Sequence, residues 1–248
     1  MGNHLYSIIT VCLDNEQGAA KTAESIVKQT FSNFEWIFID GGSQDNSVNA
    51  IRDNPALTHL VSEPDEGIYH AMNKGVYLSQ GDYCIFLNAG DWFYNENVLE
   101  NVSNRLEGDL VVGWLNVIYP DSFRKQSKIR RLDQQDVRRK FLYHRTLHHQ
   151  STFIKRSLFK KYGCYDQTFK IYGDWDFFLR VINKGVDLKF IKLCIANYPF
   201  DGISSTSIGT AFNIKEINRI RQRHFSILYR VKRYIIDRIE GVFNIRGF

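Results

Sequence analysis

The sequence predicts an α/β fold in which a mostly parallel sheet is flanked by helices. Two observations lead to this prediction. In the first part of the chain, apolar runs of strand length alternate with segments of helical periodicity, and strands separated by helices need crossover connections that leave them parallel. The chain has 248 residues, of which 44% are hydrophobic and 24% charged, and this composition suits one domain of that class.

The strands and helices of the first half follow from the spacing of apolar residues. Strands are predicted, in chain order, at residues 6–13, 34–40, 60–61 and 83–87. Helices are predicted between them at residues 19–29 and 68–78, with a short helix around Val48 and Ile51. A turn of two glycines and a serine separates that short helix from the strand before it.

The second half of the chain is less regular. A strand is predicted at Leu110–Ile118, and the basic stretch after it is predicted to form a hairpin or a surface loop. Two further helices are predicted at residues 155–162 and 174–183. From Ile214 onward, apolar residues recur at helical spacing with arginines between them. The sequence therefore predicts an α/β domain at residues 1–213 and an amphipathic basic helical tail at 214–248.

Cysteine spacing and hydropathy predict a cytoplasmic protein. The four cysteines are far apart and form no CxxC pair, which argues against structural zinc. The apolar run at 6–13 is short for a secretion signal, and no stretch approaches the roughly eighteen apolar residues of a membrane span. Between Arg219 and Arg233 lie six Lys or Arg residues and no acid. Such a run indicates nucleic acid, anionic lipid or a solvated helix face.

Three acids stand where an α/β sheet binds ligands, beyond the carboxyl ends of its strands or at the start of a helix. Asp40 precedes two glycines; it would accept a hydrogen bond from a uracil base or cap its own turn. Asp91 follows a buried strand, and a carboxylate there can hold Mg²⁺ or Mn²⁺ on a diphosphate. Asp174 opens a helix, either as its N-cap or as a general base.

In combination and order, these segments resemble the family 2 glycosyltransferases of GT-A fold. The matching pieces include SIITV from residue 7, SIVKQTF from 25, DGGSQD from 40, SEPDEGIY from 62, AMNKG from 71, GDY from 81 and HQSTF from 149. The turn at 88–91 and the segment 173–180 complete the set. The resemblance covers residues 6–195 and looks closest to the bacterial enzymes that build exopolysaccharide, capsule or O-antigen repeat units.

The resemblance implies an inverting transfer of one sugar from a nucleotide-diphosphate donor, UDP-hexose or UDP-N-acetylhexosamine, to a hydroxyl of a lipid-linked glycan. It implies a Mn²⁺ or Mg²⁺ ion on Asp91 and a catalytic base at Asp174. The nucleotide-sugar pocket would include Thr10 and Asp40 at the base. Its remaining residues would be Asp65, Gly67, Asn73, Asn88, His149 and Gln150.

The sequence departs from the family pattern in two places. The common Asp-x-Asp-Asp turn has Asn88 as its first residue and Gly90 as its third, so Asp91 is its one charged ligand. The usual Glu-Asp before the late helix is Gly173-Asp174, and Asp176 is a rival for the base. The QxxRW motif of processive synthases is absent, which favours one sugar per encounter.

Two other functions are weighed against this interpretation. A sugar nucleotidyltransferase also pairs an α/β sheet with a metal-held nucleotide, but residues 12–15 (CLDN) form a poor triphosphate cradle. An RNA-binding module would use the basic tail, yet no RNA-binding motif accompanies it, and no nucleic-acid partner is predicted. The tail itself is interpreted either as a helix on an anionic membrane or as a helix packed on the domain.

Overall fold

The computed structural model describes residues 5–122, 126–135, 137, 139–200 and 211–240. Within these residues, nine strands form one sheet: β1 Tyr6–Cys12, β2 Phe34–Asp40, β3 Leu57–Ser62, β4 Tyr83–Phe86, β5 Trp92–Phe93, β6 Leu110–Ile118, β7 Ser127–Arg130, β8 Thr152–Lys155 and β9 Leu188–Pro199. The helices of the same residues are α1 Glu16–Val27, α2 Asn49–Arg52, α3 Ile68–Leu78, α4 Val98–Ser103, α5 Arg139–His144, α6 Ser157–Tyr162, α7 Gly173–Ile182, α8 Ala211–His224 and α9 Ile227–Ile239. A 3₁₀ turn covers His149–Ser151.

The predicted α/β fold is confirmed; beyond β4 the pairing is antiparallel, except that β6 and β9 pair in parallel. The strand order is β3-β2-β1-β4-β8-β6-β9-β5, and β7 pairs with β6. The four strands from β3 to β4 are parallel, as predicted. By contrast, β8 runs antiparallel to both β4 and β6, and β5 runs antiparallel to β9. The sheet is therefore mixed, because β8 follows the 3₁₀ turn directly and enters without a crossover helix.

This reversal of β8 and β5 decides which residues meet. The parallel strands β1 to β4 all end at one edge of the sheet, here called the carboxyl edge. Because β5 and β8 run the other way, they begin where β1 and β4 end. The residues just before β8 and β5 therefore come to the carboxyl edge, together with the loops that follow β1 to β4.

The core lies on both faces of the sheet. Successive residues of β1 point to opposite faces. Ile8 packs with Trp36 and Phe38 in the cluster covered by α1, whereas Ile9 packs with a second cluster that includes α3, α6 and α7. Full burial of such a side chain contributes about 1.5–3 kcal/mol. This two-sided packing fixes the register that places the strand ends.

Several element boundaries differ from the sequence prediction. The helix predicted at 155–162 begins at Ser157, because Lys155 ends β8. The basic stretch after β6 forms a hairpin, in which β7 pairs antiparallel with β6; residues 123–125 of that stretch lie outside the described part. The periodicity of the sequence did not specify β5, β9, α4 or α5.

The predicted tail comprises two helices with different surroundings. In α8, Ile217 and Ile220 are buried in the core cluster, and Phe225 follows them there. The side chain of Ser226 then accepts a hydrogen bond from the N–H of Tyr229 and starts α9. We therefore propose that α8 belongs to the α/β domain and that α9 alone is the appendage. Residues 241–248 of the predicted tail lie outside the described residues.

Throughout the part of the chain that the structure describes, no helix has the length and apolarity needed to cross a membrane.

Candidate active site

The carboxyl edge is built from four loops that contact one another. The loop after β1 lies between the turns that follow β2 and β4. Its Asn15 donates from the backbone to Ser47 Oγ at 3.0 Å and from its side chain to the carbonyl of Ala89 at 2.9 Å. The N–H of Ala89 in turn donates to the carbonyl of Val11 at 2.9 Å. The loops after β1, β2 and β4 thus form one continuous surface.

Asp40 organises the turn after β2. Its carboxylate accepts from the N–H groups of Gly42 and Ser43 at 3.1 and 3.0 Å, and from the hydroxyls of Ser43 and Ser62. The residue is fully buried. Asp40 stays a predicted contact of the nucleotide base, and in this structure its carboxylate also caps its own turn. The turn-capping alternative describes the structure, because both carboxylate oxygens are engaged inside the protein.

The loop after β3 packs on that turn. Asp65 Oδ1 accepts from the N–H of Gly67 at 2.7 Å, while a Cβ at Gly41 would stand only 2.4 Å from Asp65 Oδ2. Gly67 has φ +129°, a backbone conformation that strongly favours glycine. Lys170 reaches over from the segment before α7 and donates to the carbonyl of Glu66 at 2.7 Å. The predicted residues Asp65 and Gly67 therefore do lie at the carboxyl edge.

Two other predicted pocket residues lie inside the protein. Thr10 is fully buried in the middle of β1, and its hydroxyl accepts from Trp36 Nε1 at 3.0 Å. Asn73 is buried in α3 and uses both ends of its amide on the backbone of Tyr165, at 2.9 and 3.0 Å. Thr10 and Asn73 stay predicted residues of the nucleotide-sugar pocket. Both support the walls of the edge, because their polar atoms already have buried partners.

The turn after β4 supplies oxygen atoms suited to a divalent cation. Asp91 is 4% exposed, and its Oδ2 accepts from the N–H of Asn88 at 3.2 Å. Asn88 Oδ1 is buried and has no hydrogen-bond partner. Mg²⁺ and Mn²⁺ prefer such oxygen ligands and take the remainder from phosphate and water. The pair therefore fits the predicted ion, although the described residues contain no group of three His, Cys, Asp or Glu side chains that could hold a metal.

His149 connects this turn to α7. Its Nδ1 lies 3.1 Å from Asp174 Oδ2, and its Nε2 lies 3.4 Å from Asn88 Nδ2. A neutral imidazole protonated on Nδ1 satisfies both partners, since Nδ1–H donates to the carboxylate and Nε2 accepts from the amide. Three predicted site residues are thereby brought together. Gln150 is buried in the same 3₁₀ turn.

Asp174 lies in the first turn of α7 and is 7% exposed. Besides His149, its carboxylate accepts from the N–H of Trp175 at 2.8 Å and from the hydroxyl of Tyr69 at 3.4 Å. The ring of Tyr69 fills the space next to Gly173, where a Cβ would stand 2.8 Å from it. The acid that the family pattern places before Asp174 has no room here.

Asp176, the rival base, is committed elsewhere. Its Oδ1 lies 2.8 Å from Arg223 Nη1 and 2.9 Å from His224 Nε2, both at the end of α8. Burial raises its pKa, but the hydrogen bonds from His224 and Arg223 outweigh this and hold the pKa below its ordinary value. The carboxylate is 1% exposed. Asp176 therefore ties α7 to α8, and Asp174 is the acid at the edge.

Sequence reasoning missed two residues that hold Asp174 in place. Tyr69 lies within a segment that the resemblance used, but its hydroxyl bonds to Ile171 and Asp174 follow from tertiary packing. Glu216 accepts from the backbone N–H groups of residues 170, 171 and 172, just before α7. Its signal was present in the sequence, because Glu216 is the one acid between Asp201 and Asp237.

Comparison with known proteins places this arrangement in a family. A PGL/p-HBAD biosynthesis glycosyltransferase of Mycobacterium bovis is 29% identical over 218 residues, covering 86% of this chain and 84% of the relative. An uncharacterised glycosyltransferase of Mycobacterium tuberculosis is 32% identical over 176 residues, covering 70% and 67%. The amylovoran biosynthesis glycosyltransferase AmsB of Erwinia amylovora is 24% identical and covers 78% and 69%.

Solved structures share the fold at low sequence identity. S. aureus TarS in complex with UDP-GlcNAc superposes with a TM-score of 0.66 at 14% identity. The match covers 87% of this chain and 64% of the solved TarS chain, which comprises residues 1–349. The mannosyltransferase PcManGT of Pyrobaculum calidifontis, in complex with GDP-Man and Mn²⁺, gives 0.59 at 15% identity and covers 88% and 61%. The GT-A fold expected from the sequence is thus confirmed.

The family follows from the sequence match itself. Residues 7–163 match the sequence model of Glycosyl transferase family 2. That span contains β1 to β4, the 88–91 turn and His149, which are the parts that build the carboxyl edge. Relatives that take part in glycan biosynthesis agree with the match. The chain is a glycosyltransferase and belongs to family 2.

Proposed function

We propose that this enzyme transfers one sugar from a nucleotide-diphosphate donor to an acceptor hydroxyl, with inversion at the anomeric carbon. The observation that carries the proposal is the chain of contacts from Asn88 through His149 to Asp174. These contacts connect the 88–91 turn, which is suited to the donor diphosphate, with the carboxylate of Asp174 at the same carboxyl edge. A single displacement needs a base on one side of the anomeric carbon and charge stabilisation on the other.

Asp174 is the proposed general base. The attacking hydroxyl loses its proton as the new glycosidic bond forms, and a carboxylate within hydrogen-bond reach can accept it. His149 Nδ1–H and the N–H of Trp175 fix the orientation of the carboxylate. Asp176 is not proposed for this role, because its carboxylate is 1% exposed and pairs with Arg223 and His224 on the α8 side. Because the other acid of this helix, Asp176, is engaged with α8, a direct displacement is proposed rather than a covalent intermediate.

The departing nucleotide diphosphate is proposed to leave from the 88–91 turn. Asp91 and Asn88 Oδ1 would hold Mn²⁺ or Mg²⁺, which when bound neutralises charge on the leaving group. The nucleotide base is proposed to lie against the surface where Gly41 meets Asp65. Asp40 contributes by shaping that surface.

The proposed donor is a UDP-hexose or a UDP-N-acetylhexosamine, and the proposed acceptor is a lipid-linked glycan of bacterial surface polysaccharide synthesis, such as O-antigen or capsule. The support is chemical and comparative: TarS was solved with UDP-GlcNAc, and AmsB is named for amylovoran biosynthesis. The enzyme is proposed to act in the cytoplasm, in peripheral contact with the membrane that holds such an acceptor.

Substitution of the two acids tests the mechanism. Asp174→Asn keeps size and most hydrogen bonding but cannot accept a proton, so transfer should fall by about 10²–10⁴-fold while the Kd for the donor stays near wild type. Asp91→Asn should weaken metal-dependent UDP binding as well as the rate. Both are measured by sugar transfer from a panel of sugar nucleotides and by calorimetric donor binding.

Asp176→Asn is the matched control, because it makes the same change two residues along α7. We expect it to lower stability and to leave the chemical step largely intact. Full turnover in Asp174→Asn together with an inactive but folded Asp176→Asn would reverse the assignment of the base. Release of pyrophosphate instead of a nucleoside diphosphate would indicate a nucleotidyltransferase.

A further inference from the structure

Helix α9 exposes an apolar face that nothing within the described residues covers. Six large apolar side chains of this helix are between 50% and 80% exposed: Ile227, Leu228, Val231, Tyr234, Ile235 and Ile239. At about 100° per residue they occupy one continuous side of the helix, somewhat less than half of its circumference. Exposed apolar residues are normal when scattered, but a contiguous stripe marks a contact surface.

The charges of α9 are sorted between its two sides. Its two acids lie on the side away from the stripe: Asp237 is near His144 and pairs with Arg233, and Glu240, which is 39% exposed, pairs with Lys140. Lys232 is exposed at the border of the apolar stripe, and Arg238 is exposed within it, with its guanidinium 5.2 Å from the ring centre of Tyr234. The exposed side of the helix therefore carries positive charge only.

We propose that the exposed side of α9 docks on the surface of an anionic lipid bilayer. A helix with an apolar stripe flanked by basic residues lies in the membrane plane, with its stripe buried about 5–10 Å into the headgroup region. A second copy of the chain is a poorer occupant, because two-fold pairing would oppose Lys232 and Arg238 to their own equivalents without an answering acid. Anionic headgroups supply that missing charge.

The position of α9 connects this surface to the active site. α9 packs on α5, where Tyr229 contacts the ring of Tyr143 with centroids 5.7 Å apart. The carbonyl of Leu142 in α5 accepts from Trp175 Nε1 at 2.9 Å, and Trp175 is the neighbour of the proposed base. Docking would thus hold α5, and the active site behind it, near the membrane surface; this step rests on the proposed function only in that the bilayer would hold the acceptor.

This interpretation also reassigns the basic run of the sequence. Arg223 is paired with Asp166 and Asp176, Arg221 donates to the carbonyl of Tyr143, and Arg233 is buried against Asp237. Arg221 and Arg223 hold α8 onto the domain, whereas Arg233 pairs within α9. Attraction to lipid is left to the residues on the outer side of α9.

The experiment measures binding of the full chain to vesicles without donor or acceptor. We expect the protein to co-sediment with vesicles of equimolar phosphatidylcholine and phosphatidylglycerol, and to bind at least about tenfold more weakly to pure phosphatidylcholine or at high salt. The variant Leu228→Ser/Ile235→Ser/Ile239→Ser should lose at least about tenfold in partition. Lys232→Gln/Arg238→Gln should lose about 10–30-fold on anionic vesicles.

Matched controls carry the same changes elsewhere. Val27→Ser/Tyr77→Ser removes exposed apolar side chains of α1 and α3, and Lys160→Gln/Lys184→Gln removes two exposed charges. Both controls should bind vesicles as the wild type does. UDP binding should be unchanged in every variant, which shows that each is folded.

Three results would overturn the proposal. The first is a wild-type chain that ignores anionic vesicles, or a stripe variant that binds them equally well. The second is a wild-type dimer in light scattering that the stripe variant dissociates, with no vesicle binding, which makes the face a self-association surface. The third is vesicle binding that appears only after deletion of residues 241–248. That result would mean that these residues cover the stripe in the full chain. Sugar transfer to an acceptor without a lipid is assayed separately, so failure of either proposal leaves the other standing.

Discussion

At the scale of single residues, the active site is defined by which polar atoms already have partners. Asp40, Thr10 and Asn73 are saturated inside the protein. Asn88 Oδ1 is not. Neighbours in sequence differ as sharply, since Asp174 faces the carboxyl edge and Asp176 faces α8. A motif therefore locates a site, whereas the hydrogen-bond partners assign the roles within it.

His148, next to the bridging His149, gives a prediction for acid stability. Burial, with help from Arg130 and His149, lowers the pKa of His148 to about 3 from its ordinary 6.5. Between pH 6.5 and pH 3, His148 is protonated in the unfolded chain but not in the folded chain. Because protonation therefore favours the unfolded chain, the free energy of unfolding falls as the pH falls through this range. The slope from this group is at most about 1.4 kcal/mol per pH unit.

His148→Gln removes that titration. Urea unfolding between pH 6 and pH 4 measures how the free energy of unfolding depends on pH. The slope for the variant should be smaller than that for the wild type by up to about 1.4 kcal/mol per pH unit, the effect of one proton. Parallel curves for the two proteins would show that His148 is protonated in the folded state. Activity is not the readout, because His148 adjoins the site.

At the scale of elements, α8 supports the active site through Glu216, which holds the segment before α7. Glu216 Oε1 accepts from the N–H of Lys170 at 2.6 Å, and Oε2 accepts from Ile171 and Tyr172 at 3.1 Å each. The same short segment sends Lys170 Nζ to the loop after β3. The carboxylate of Glu216 thus fixes the segment that leads into α7 and, through Lys170, supports the loop after β3. Its negative charge is also favourable near the N-terminal end of α7, where the helix dipole is positive.

Glu216→Gln tests this positioning role. The amide keeps one acceptor but loses the charge and places an NH₂ against backbone donors. We expect kcat to fall by about 10–100-fold, with little change in the KM for the donor, because a displaced base costs rate more than binding. Glu216→Asp should recover part of the loss.

Glu240→Gln is the control, since it removes the same charge from the end of α9 without touching α7. It should leave kcat unchanged. If Glu216→Gln lowers the melting temperature while kcat remains at the wild-type value, Glu216 serves stability alone and the positioning role is wrong.

The elements that sequence could predict are those whose signal is local. The strands β1, β2 and β4 and the helices α1, α3 and α7 follow from apolar spacing, and the strand-end acids follow from them. The antiparallel entry of β8 could not be predicted, because its register is set by Cys84 and Leu110, far away in sequence. The saturation of Asp40 likewise depends on Ser62, which belongs to the next strand.

At the scale of the whole molecule, binding of a nucleotide at the proposed donor site should stabilise the folded protein. A ligand that binds only the folded state at a hundred times its Kd adds about 2.7 kcal/mol to the free energy of unfolding. We expect UDP to raise the melting temperature more with Mn²⁺ or Mg²⁺ than without, because Asp91 and Asn88 lie on the diphosphate side. Thermal scans with UDP, GDP and dTDP, each with and without metal, measure this.

The same scans on Asp91→Asn provide the control, since the variant should keep any metal-independent stabilisation and lose the increment from metal. A wild-type protein that none of the three nucleotides stabilises would refute the placement of the nucleotide at the carboxyl edge. An equal metal increment in the variant would move the ion away from Asp91.

Glu216 follows α7 in the sequence, and this order has a consequence for synthesis on the ribosome. The loops that receive the nucleotide are complete by residue 91, and α7 has emerged well before α8. Until Glu216 and Arg223 arrive, the entry to α7 and the side chain of Asp176 lack their partners. A nascent chain can therefore form its first four strands before the segment that carries Asp174 is held in place, so the last step in building this edge waits for α8.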